Sequence, residues 1–339
     1  MAESIQKNKV LVLKLGGQCN LHCKYCHCKR VNYKLNRDIF KYISDNGFTH
    51  ITFSGGEPFL YWSIIKEVLE YFGTSITYKI VTNGNLLNSE IVETCNKYNV
   101  QCFVSYDGAN NDSRDYYSFI EWNDFSKLNR HGFATLFSKS NEDIDKLFAD
   151  RDDIISHYDL KISKGFGMIN FPHSTQINTN PEVDKELAKK YCLIICRFLE
   201  LEFIELSKSG FRGDYGTRGF PIISSVFKRF IEEKSVRGVK CCNETILPMT
   251  IDGRFLLCPY DEQYVGDIYT GIDWNKVESY IPDRCKGCPQ WKSCMNSCIA
   301  NITDNECYIH KVIYKHFYKL MDKYNVTYDF LKKEIKRVY

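Results

Sequence analysis

The chain has little charge of one sign. It carries 45 Lys and Arg against 42 Asp and Glu in 339 residues, for a formal net charge of +3. Such a balance gives no field of the kind a dedicated nucleic-acid binder carries, so no nucleic-acid partner is expected. Also missing is any apolar run of the roughly 18 residues that a membrane helix needs, and the opening MAESIQKNK lacks the apolar stretch of a signal peptide. A cytoplasmic protein without a membrane partner is expected. No P-loop, no GxGxxG dinucleotide fingerprint and no nucleophile-elbow serine occurs, nor any internal repeat, low-complexity tract or long linker. Disorder is excluded as the main state, because 44% of residues are hydrophobic and 14% aromatic. At roughly 100 to 200 residues per domain, the length suits one large domain and a smaller one.

What the chain does have is cysteine, 16 in all. Disulfides do not persist in a reducing compartment, so clustered cysteines there point to metal ligation or catalysis. Cys19, Cys23, Cys26 and Cys28 lie near the N-terminus. Cys241, Cys242, Cys258, Cys285, Cys288, Cys294, Cys298 and Cys307 crowd a C-terminal stretch. Between them stand only Cys95, Cys102, Cys192 and Cys196. Cys192 and Cys196 share one face of an apolar helix, and all four read as buried packing. The pattern is two thiolate-rich regions around an ordinary globular segment.

Short β-branched runs alternate with amphipathic stretches from residue 9 onward, the pattern of strand and helix units around a parallel sheet. Strands are expected at 9–15, 48–54, 75–82, 100–105, 132–138 and 159–171. Helices are expected in LNRDIFKYISDNG, in YWSIIKEVLEYFG, and in EIVETCNKYN with Ser89 as its N-cap. Six such units make an open, incomplete barrel. A long helix is expected from Pro181 to about Leu206. A small, metal-stapled region spans 241 to 307. The last stretch, from Lys311, is helical again and carries eight basic against three acidic residues. It reads as an amphipathic helix packed on the barrel, or as a docking site for an acidic peptide.

The first strand runs into GGQCNLHCKYCHCK, which sets Cys19, Cys23 and Cys26 in a C-x3-C-x2-C arrangement. Three close thiolates can hold three irons of a 4Fe-4S cluster and leave the fourth without a protein ligand. A zinc loop or buried free thiols would also accommodate three cysteines. A second motif decides between them: SGGEP, Ser54 to Pro58, at the end of the second strand. Adjacent glycines let the backbone approach a ligand, and the Glu57 carboxylate can accept from an ammonium. Together these motifs resemble the radical S-adenosylmethionine (SAM) superfamily, whose chemistry sits at the carboxyl ends of barrel strands. The resemblance implies that Cys19, Cys23 and Cys26 hold the cluster beside Tyr25. It further implies that Ser54, Gly55, Gly56, Glu57 and Pro58 hold the methionine amine of SAM. Asn83, Ser105 and Asp107, at the ends of the third and fourth strands, match positions that line the rest of SAM. Cys28 would be a bystander, since a fourth thiolate would block SAM.

The C-terminal spacing reads C-x10-G-x4-C through Cys242, Gly253 and Cys258. It continues as C-x2-C-x5-C-x3-C through Cys285, Cys288, Cys294 and Cys298, and ends at Cys307. This resembles the SPASM domain of peptide- and protein-modifying radical SAM enzymes, which holds auxiliary 4Fe-4S clusters. The resemblance implies an outer cluster on Cys285, Cys288, Cys294 and Cys307 and an inner one on Cys242, Cys258 and Cys298. The upstream cysteine that completes the fullest pattern is missing. Either Cys241 serves beside Cys242 or the inner cluster keeps one open iron.

The expected architecture is therefore α/β: a partial (β/α)6 TIM-like barrel of the radical SAM type over 1–230, a cysteine-rich iron-sulfur domain over 231–310, and a C-terminal helix over 311–339. The expected cofactors are SAM and three 4Fe-4S clusters. The expected activity is reductive cleavage of SAM to a 5′-deoxyadenosyl radical, hydrogen abstraction from a peptide, and a thioether or carbon-carbon crosslink such as a cyclophane. The expected partners are a peptide or protein substrate, with or without a leader, and a reductant such as flavodoxin or ferredoxin. With about eight residues ahead of the first strand, leader recognition is expected to fall to a separate protein or to the barrel surface. The alternative within the class is formylglycine formation of the anaerobic sulfatase maturase type. In that group an aspartate follows the cysteine matching Cys258; here Pro259 follows, and Asp261 is the nearest candidate base. A non-catalytic iron-sulfur carrier or zinc scaffold is the alternative of another class, and it has no use for an open iron beside a GGEP turn.

Overall fold

A computed structural model of the chain describes residues 9–26, 28–109, 114, 120–162, 168–170, 185–209, 221–227, 231–232, 237–239, 241–260, 262–294 and 304–338. Asp261 and Cys298 lie outside them. The expected α/β partial barrel is found. Strands β1 (Val10–Lys14), β2 (His50–Ser54), β3 (Thr77–Thr82), β4 (Gln101–Ser105), β5 (His131–Leu136) and β6 (Met168–Asn170) pair in parallel in chain order. Among the described residues of the expected sixth strand, Met168–Asn170 are strand. Residue Asp159, with φ +49°, closes the turn after the preceding helix instead.

Period-two alternation gives the sheet its two sides. Leu11, Leu13, Ile51, Ile80, Cys102 and Val104 are fully buried on the convex side, under the helices. Val12 pairs in register with Thr52, and both line the barrel lumen with Val81 on the concave side. Helices α1 (Asp38–Asp45), α2 (Trp62–Phe72) and α3 (Ser89–Lys97) cover the convex side, through Ile39, Ile65 and Ile91 among others. The cap of α3 is Asn88, not Ser89. Asn88 is extended, at φ −152°, and its side chain accepts from the Ile91 amide, while Ser89 is the first helical residue. Two cap-forming residues stand side by side there, and the amide side chain one position earlier reaches the free amide. Two further helices follow, α4 (Trp122–Phe125) and α5 (Ile144–His157).

The C-terminal half adds to the same sheet. Strand β7 (Ile246–Thr250) pairs in parallel with β1 on the side away from β2. Strands β8 (Arg254–Leu256), β9 (Tyr264–Asp267) and β10 (Gly271–Ile272) continue antiparallel, giving the order β10-β9-β8-β7-β1-β2-β3-β4-β5-β6. Met249, Phe255 and Val265 therefore share the barrel core with Leu13 and Ile51.

A second core is helical. Helix α6 (Lys185–Ser209), α7 (Pro221–Val226), α10 (Asp304–Lys323) and α11 (Tyr328–Val338) bury Leu199, Phe203, Ile223, Phe227, Phe317 and Leu331 together. The Phe203 and Phe317 rings meet edge-on at 5.4 Å. The helical C-terminus is thus two helices. They part near Asn325, at φ +53°, and the first begins at Asp304, ahead of the expected Lys311. Two shorter helices, α8 (Trp274–Ser279) and α9 (Trp291–Cys294), lie in the cysteine-rich stretch.

Candidate active site

The loop after β1 and the turn after β2 are laced together by their backbones. Gly56 N donates to Gly16 O at 3.0 Å, and Glu57 N donates to Gln18 O at 2.8 Å. The approach is so close that only glycine fits. A Cβ at Gly56 would stand 2.0 Å from Gln18 O, and one at Gly55, which sits at φ +138°, would stand 2.2 Å from Gly16 O. The Gly-Gly pair therefore sets the spacing between the thiol loop and the strand end.

Glu57 closes the next junction. It is 1% exposed and accepts from Thr82 Oγ1 at 2.7 Å, Asn83 N at 2.8 Å and Phe59 N at 3.1 Å. Burial raises its pKa, and these three donors oppose the rise. The carboxylate is thus a buckle between the ends of β2 and β3. Asn83 carries the chain of contacts on, donating to Asn20 Oδ1 in the thiol loop at 2.7 Å.

Asp107 ties the loop down from β4. Its carboxylate accepts from the Tyr25 hydroxyl, from Arg114 Nε at 3.0 Å and from Leu136 N at 2.8 Å. Burial, then the charge of Asp107, raises the Tyr25 pKa well above that of a free phenol, so Tyr25 stays protonated and donates.

These contacts leave a cavity of about 340 Å3 at the carboxyl ends of the strands. Cys19, Cys23, Tyr25 and Cys26 line it from the thiol loop, and Ser54, Gly55, Gly56, Glu57 and Pro58 from the turn after β2. Asn83 and Ser105 line it from the ends of β3 and β4. Of the residues the sequence nominates for cluster and SAM binding, Asp107 alone is outside the wall, acting through Tyr25 and Arg114. Among the lining residues that sequence reading missed are Arg114, which sits in no motif, and Pro259 and Tyr260, which follow β8.

A cluster fits this wall by the chemistry of its donors. Among the described residues no three His, Cys, Asp or Glu side chains converge on a single-ion site. Thiolates that each take a different iron at the corners of a cube need not converge. The glycine backbone and the polar ends of Asn83 and Ser105 leave room for an amino-acid moiety beside it.

The C-terminal thiols form two neighbourhoods. Burial raises the Cys285 pKa, and the charges of Cys294, Cys288 and Cys307 add to the rise, so these four share one region. Cys242 is fully buried in a hairpin closed by Val239 N to Cys242 O at 2.8 Å, and burial pushes its pKa up to about 12. Cys258, Cys241 and Cys28 all act on Tyr260, whose pKa burial raises first. Cys95 and Cys102 are paired in the barrel core; Cys192 is buried and Cys196 half-buried on α6.

A partial parallel barrel with three thiols on the loop after its first strand and a Gly-Gly-Glu-Pro turn after its second defines the radical SAM class of enzymes. Residues 13–130 match the family model described as the Radical SAM superfamily. The radical SAM cyclopropyl synthase TigE of Paramaledivibacter caminithermalis is 30% identical over 140 residues, 33% of this chain and 30% of that protein. The chain spans 30% and 39% of the lengths of the first two curated relatives it matches. Among solved structures, anSMEcpe with bound AdoMet superposes with a TM-score of 0.62 at 14% identity, over 94% of this chain and 99% of that one. Streptococcus suis SuiB bound to its precursor peptide SuiA gives 0.56 at 15% identity, over 86% and 72%. These likenesses establish the fold. Among the described residues no helix is long and apolar enough to cross a membrane.

Proposed function

We propose that the chain is a radical SAM peptide maturase that installs an oxidative thioether or carbon-carbon crosslink in a ribosomally made peptide. The observation that carries this reading is the single cavity lined by the three loop thiols, the Gly-Gly-Glu-Pro turn, Asn83, Ser105 and the Pro259–Tyr260 pair. When bound, SAM and its 4Fe-4S cluster supply a 5′-deoxyadenosyl radical able to break an unactivated C–H bond. Cys19, Cys23 and Cys26 hold the cluster. The turn from Ser54 to Pro58, with Asn83 and Ser105, holds the amino-acid part of SAM. Asp107 orients Tyr25, and Glu57 fixes the strand ends through its three hydrogen bonds.

The fold shared with SuiB bound to its precursor peptide supports a peptide substrate. The grouping of Cys285, Cys288, Cys294 and Cys307 supports an outer auxiliary cluster. The burial of Cys242 and Cys258 supports an inner one with Cys298, its fourth position taken by Cys241 or left as an open iron. A flavodoxin or ferredoxin would supply the electron.

Formylglycine formation is the second reading, favoured by the fold shared with anSMEcpe over 94% of the chain. The cavity wall weighs against it. Pro259 lines the wall where that chemistry would put an aspartate, and among the described residues the only lining carboxylate is Glu57, already accepting three hydrogen bonds. Asp261 remains the candidate base for that reaction.

The test is anaerobic reconstitution followed by iron, sulfide and zinc analysis and assay of 5′-deoxyadenosine. About twelve irons per chain, with SAM cleavage lost in Cys26→Ala, is the expected result. About four irons with zinc would refute the auxiliary clusters, and cleavage equal to Cys26→Ala would refute the enzyme. A crosslinked peptide would lose the mass of the hydrogens removed, whereas formylglycine formation would exchange a side-chain thiol for an aldehyde.

A further inference from the structure

Among the described residues a concavity larger than the SAM cavity lies away from it. A groove of about 900 Å3 runs between α10 and the loop that carries Cys285 and Cys288, and it shares no lining residue with the SAM cavity. Its charge is one-sided. Arg284, Lys286, Lys311, Lys315 and Lys319 line it, against the single carboxylate of Asp322. Lys311, Lys315 and Lys319 recur every fourth residue of α10, so they stand in one row, and all three are exposed. Lys286 is engaged with Asp283 at 2.7 Å, whereas none of the three row lysines makes an ion pair among the described residues. Between the lysines lie Tyr314 and Tyr318, with ring centroids 4.7 Å apart.

Cations held in a row on one helix repel one another, although Glu200 lies within electrostatic reach of Lys319. They are suited to an anionic partner, for which they raise the encounter rate and set the register. The floor indicates which anionic partner. Cys288 lines this groove, and Cys285 and Cys288 together line the adjoining recess of about 500 Å3. The thiols assigned above to the outer cluster are therefore at the surface where the charge is. A peptide awaiting modification belongs at the SAM cavity and needs no thiols beneath it; a redox protein needs both the charge and the cluster.

We propose that this groove docks an acidic one-electron carrier protein over the outer auxiliary cluster. The proposal rests on the auxiliary-cluster reading given above. Cys285, Cys288, Cys294 and Cys307 would hold the cluster, which when bound would supply one electron to the oxidised flavin or iron-sulfur centre of the carrier and reduce it by one electron. No bond is made or broken at the groove. This electron is the one released when the substrate radical closes to its oxidised product with loss of a proton.

The experiment uses the full chain, reconstituted anaerobically, and reads binding of oxidised flavodoxin by calorimetry at low and at physiological salt. Wild-type protein is expected to bind, and to bind roughly tenfold more weakly as salt screens the contact. The variant Lys311→Glu/Lys315→Glu/Lys319→Glu is expected to lose at least about tenfold in affinity and most of the salt dependence. Lys332→Glu/Lys333→Glu, on α11 and outside the groove, is expected to change affinity by less than about twofold. SAM cleavage driven by dithionite should be unchanged in both variants. Equal flavodoxin binding by wild type and the triple variant overturns the proposal. So does lysine-dependent binding of a poly-glutamate peptide with no binding of flavodoxin. Iron content separates the two levels: about four irons per chain overturns the auxiliary-cluster reading itself, whereas about twelve with lysine-independent binding overturns only the docking site.

Discussion

A buried ion pair joins the two halves of the sheet, and breaking it from either side should give unequal results. Lys14, the last residue of β1, is 1% exposed and donates to Glu262 at 2.6 Å. Glu262 follows Tyr260 by two residues and is better placed. It is 16% exposed and also accepts from the Tyr33 hydroxyl at 2.7 Å and the Tyr264 hydroxyl at 2.6 Å. Glu262→Gln leaves an ammonium out of water with no counter-charge, which costs about 3–5 kcal/mol. Lys14→Met leaves a carboxylate that still has two hydroxyl donors and some water, at about 1–3 kcal/mol. Removing both together removes the uncompensated charge, so Lys14→Met/Glu262→Gln should be more stable than Glu262→Gln alone.

Urea unfolding of the reconstituted protein, followed by tryptophan fluorescence, measures all three. The pair also has a pH signature. Burial works to raise the Glu262 pKa, but Lys14 and the two tyrosines overcome it and hold the pKa below the usual 4.5. A depressed carboxyl pKa stabilises the fold above the unfolded value and is lost as pH falls through the folded one. Wild type should therefore lose stability below about pH 4.5 more steeply than Lys14→Met. A cost below about 1 kcal/mol for Glu262→Gln, or a double variant no more stable than that single one, would refute the reasoning.

Gly56→Ala puts a Cβ 2.0 Å from a backbone oxygen that has no room to move, so the thiol loop should fail to hold iron while the auxiliary iron is retained, as measured by iron per chain. Tyr25→Phe removes one donor from a buried carboxylate that keeps Arg114 and Leu136 N; a loss of about 1–2 kcal/mol is expected, seen as roughly tenfold weaker SAM binding in equilibrium dialysis. Glu202 on α6 accepts from the Ile222 and Ile223 amides at the start of α7, yet burial pushes its pKa up to about 7. A raised carboxyl pKa stabilises the fold at low pH, and that increment is lost as pH rises from 4.5 to about 7. Thermal midpoints should therefore fall over that window in wild type, by an amount equivalent to up to about 3 kcal/mol, and stay flatter in Glu202→Gln.

Local pattern was enough for the barrel and for the thiol loop because both are written in short stretches. KVLVLKL alternates Leu11 and Leu13 toward the helices with Val12 and Lys14 toward the lumen, and the charge in the second set already marks a polar neighbour there. That neighbour is Glu262, separated by 248 positions, which no periodicity reports. The same holds for β7 on β1. Its ILPMT carries a proline and reads poorly as a strand, and its place is set by burial of Leu247 and Met249 in the barrel core. Arg114 was invisible because it stands alone in the sequence, its role set only by Asp107 seven positions earlier. The turn glycines were legible as glycines, but what they approach was not: each faces the backbone of the opposite loop.

Because β7 and β8 extend the barrel sheet, the cysteine-rich region sits in fixed register against the SAM cavity. Cys258 ends the segment after β8, and Pro259 and Tyr260, the next two residues, are already part of the cavity wall. Tyr260 therefore lines the cavity and has Cys258, Cys241 and Cys28 within electrostatic reach. A substrate lying against Tyr260 would have Cys258 and Cys241 within electrostatic reach of that ring, while Cys285 and Cys288 open onto a basic surface elsewhere. That order of cavity, inner thiols, outer thiols and cationic groove suits a reaction that must remove an electron from its substrate. It would have no purpose in one that returns the electron to SAM.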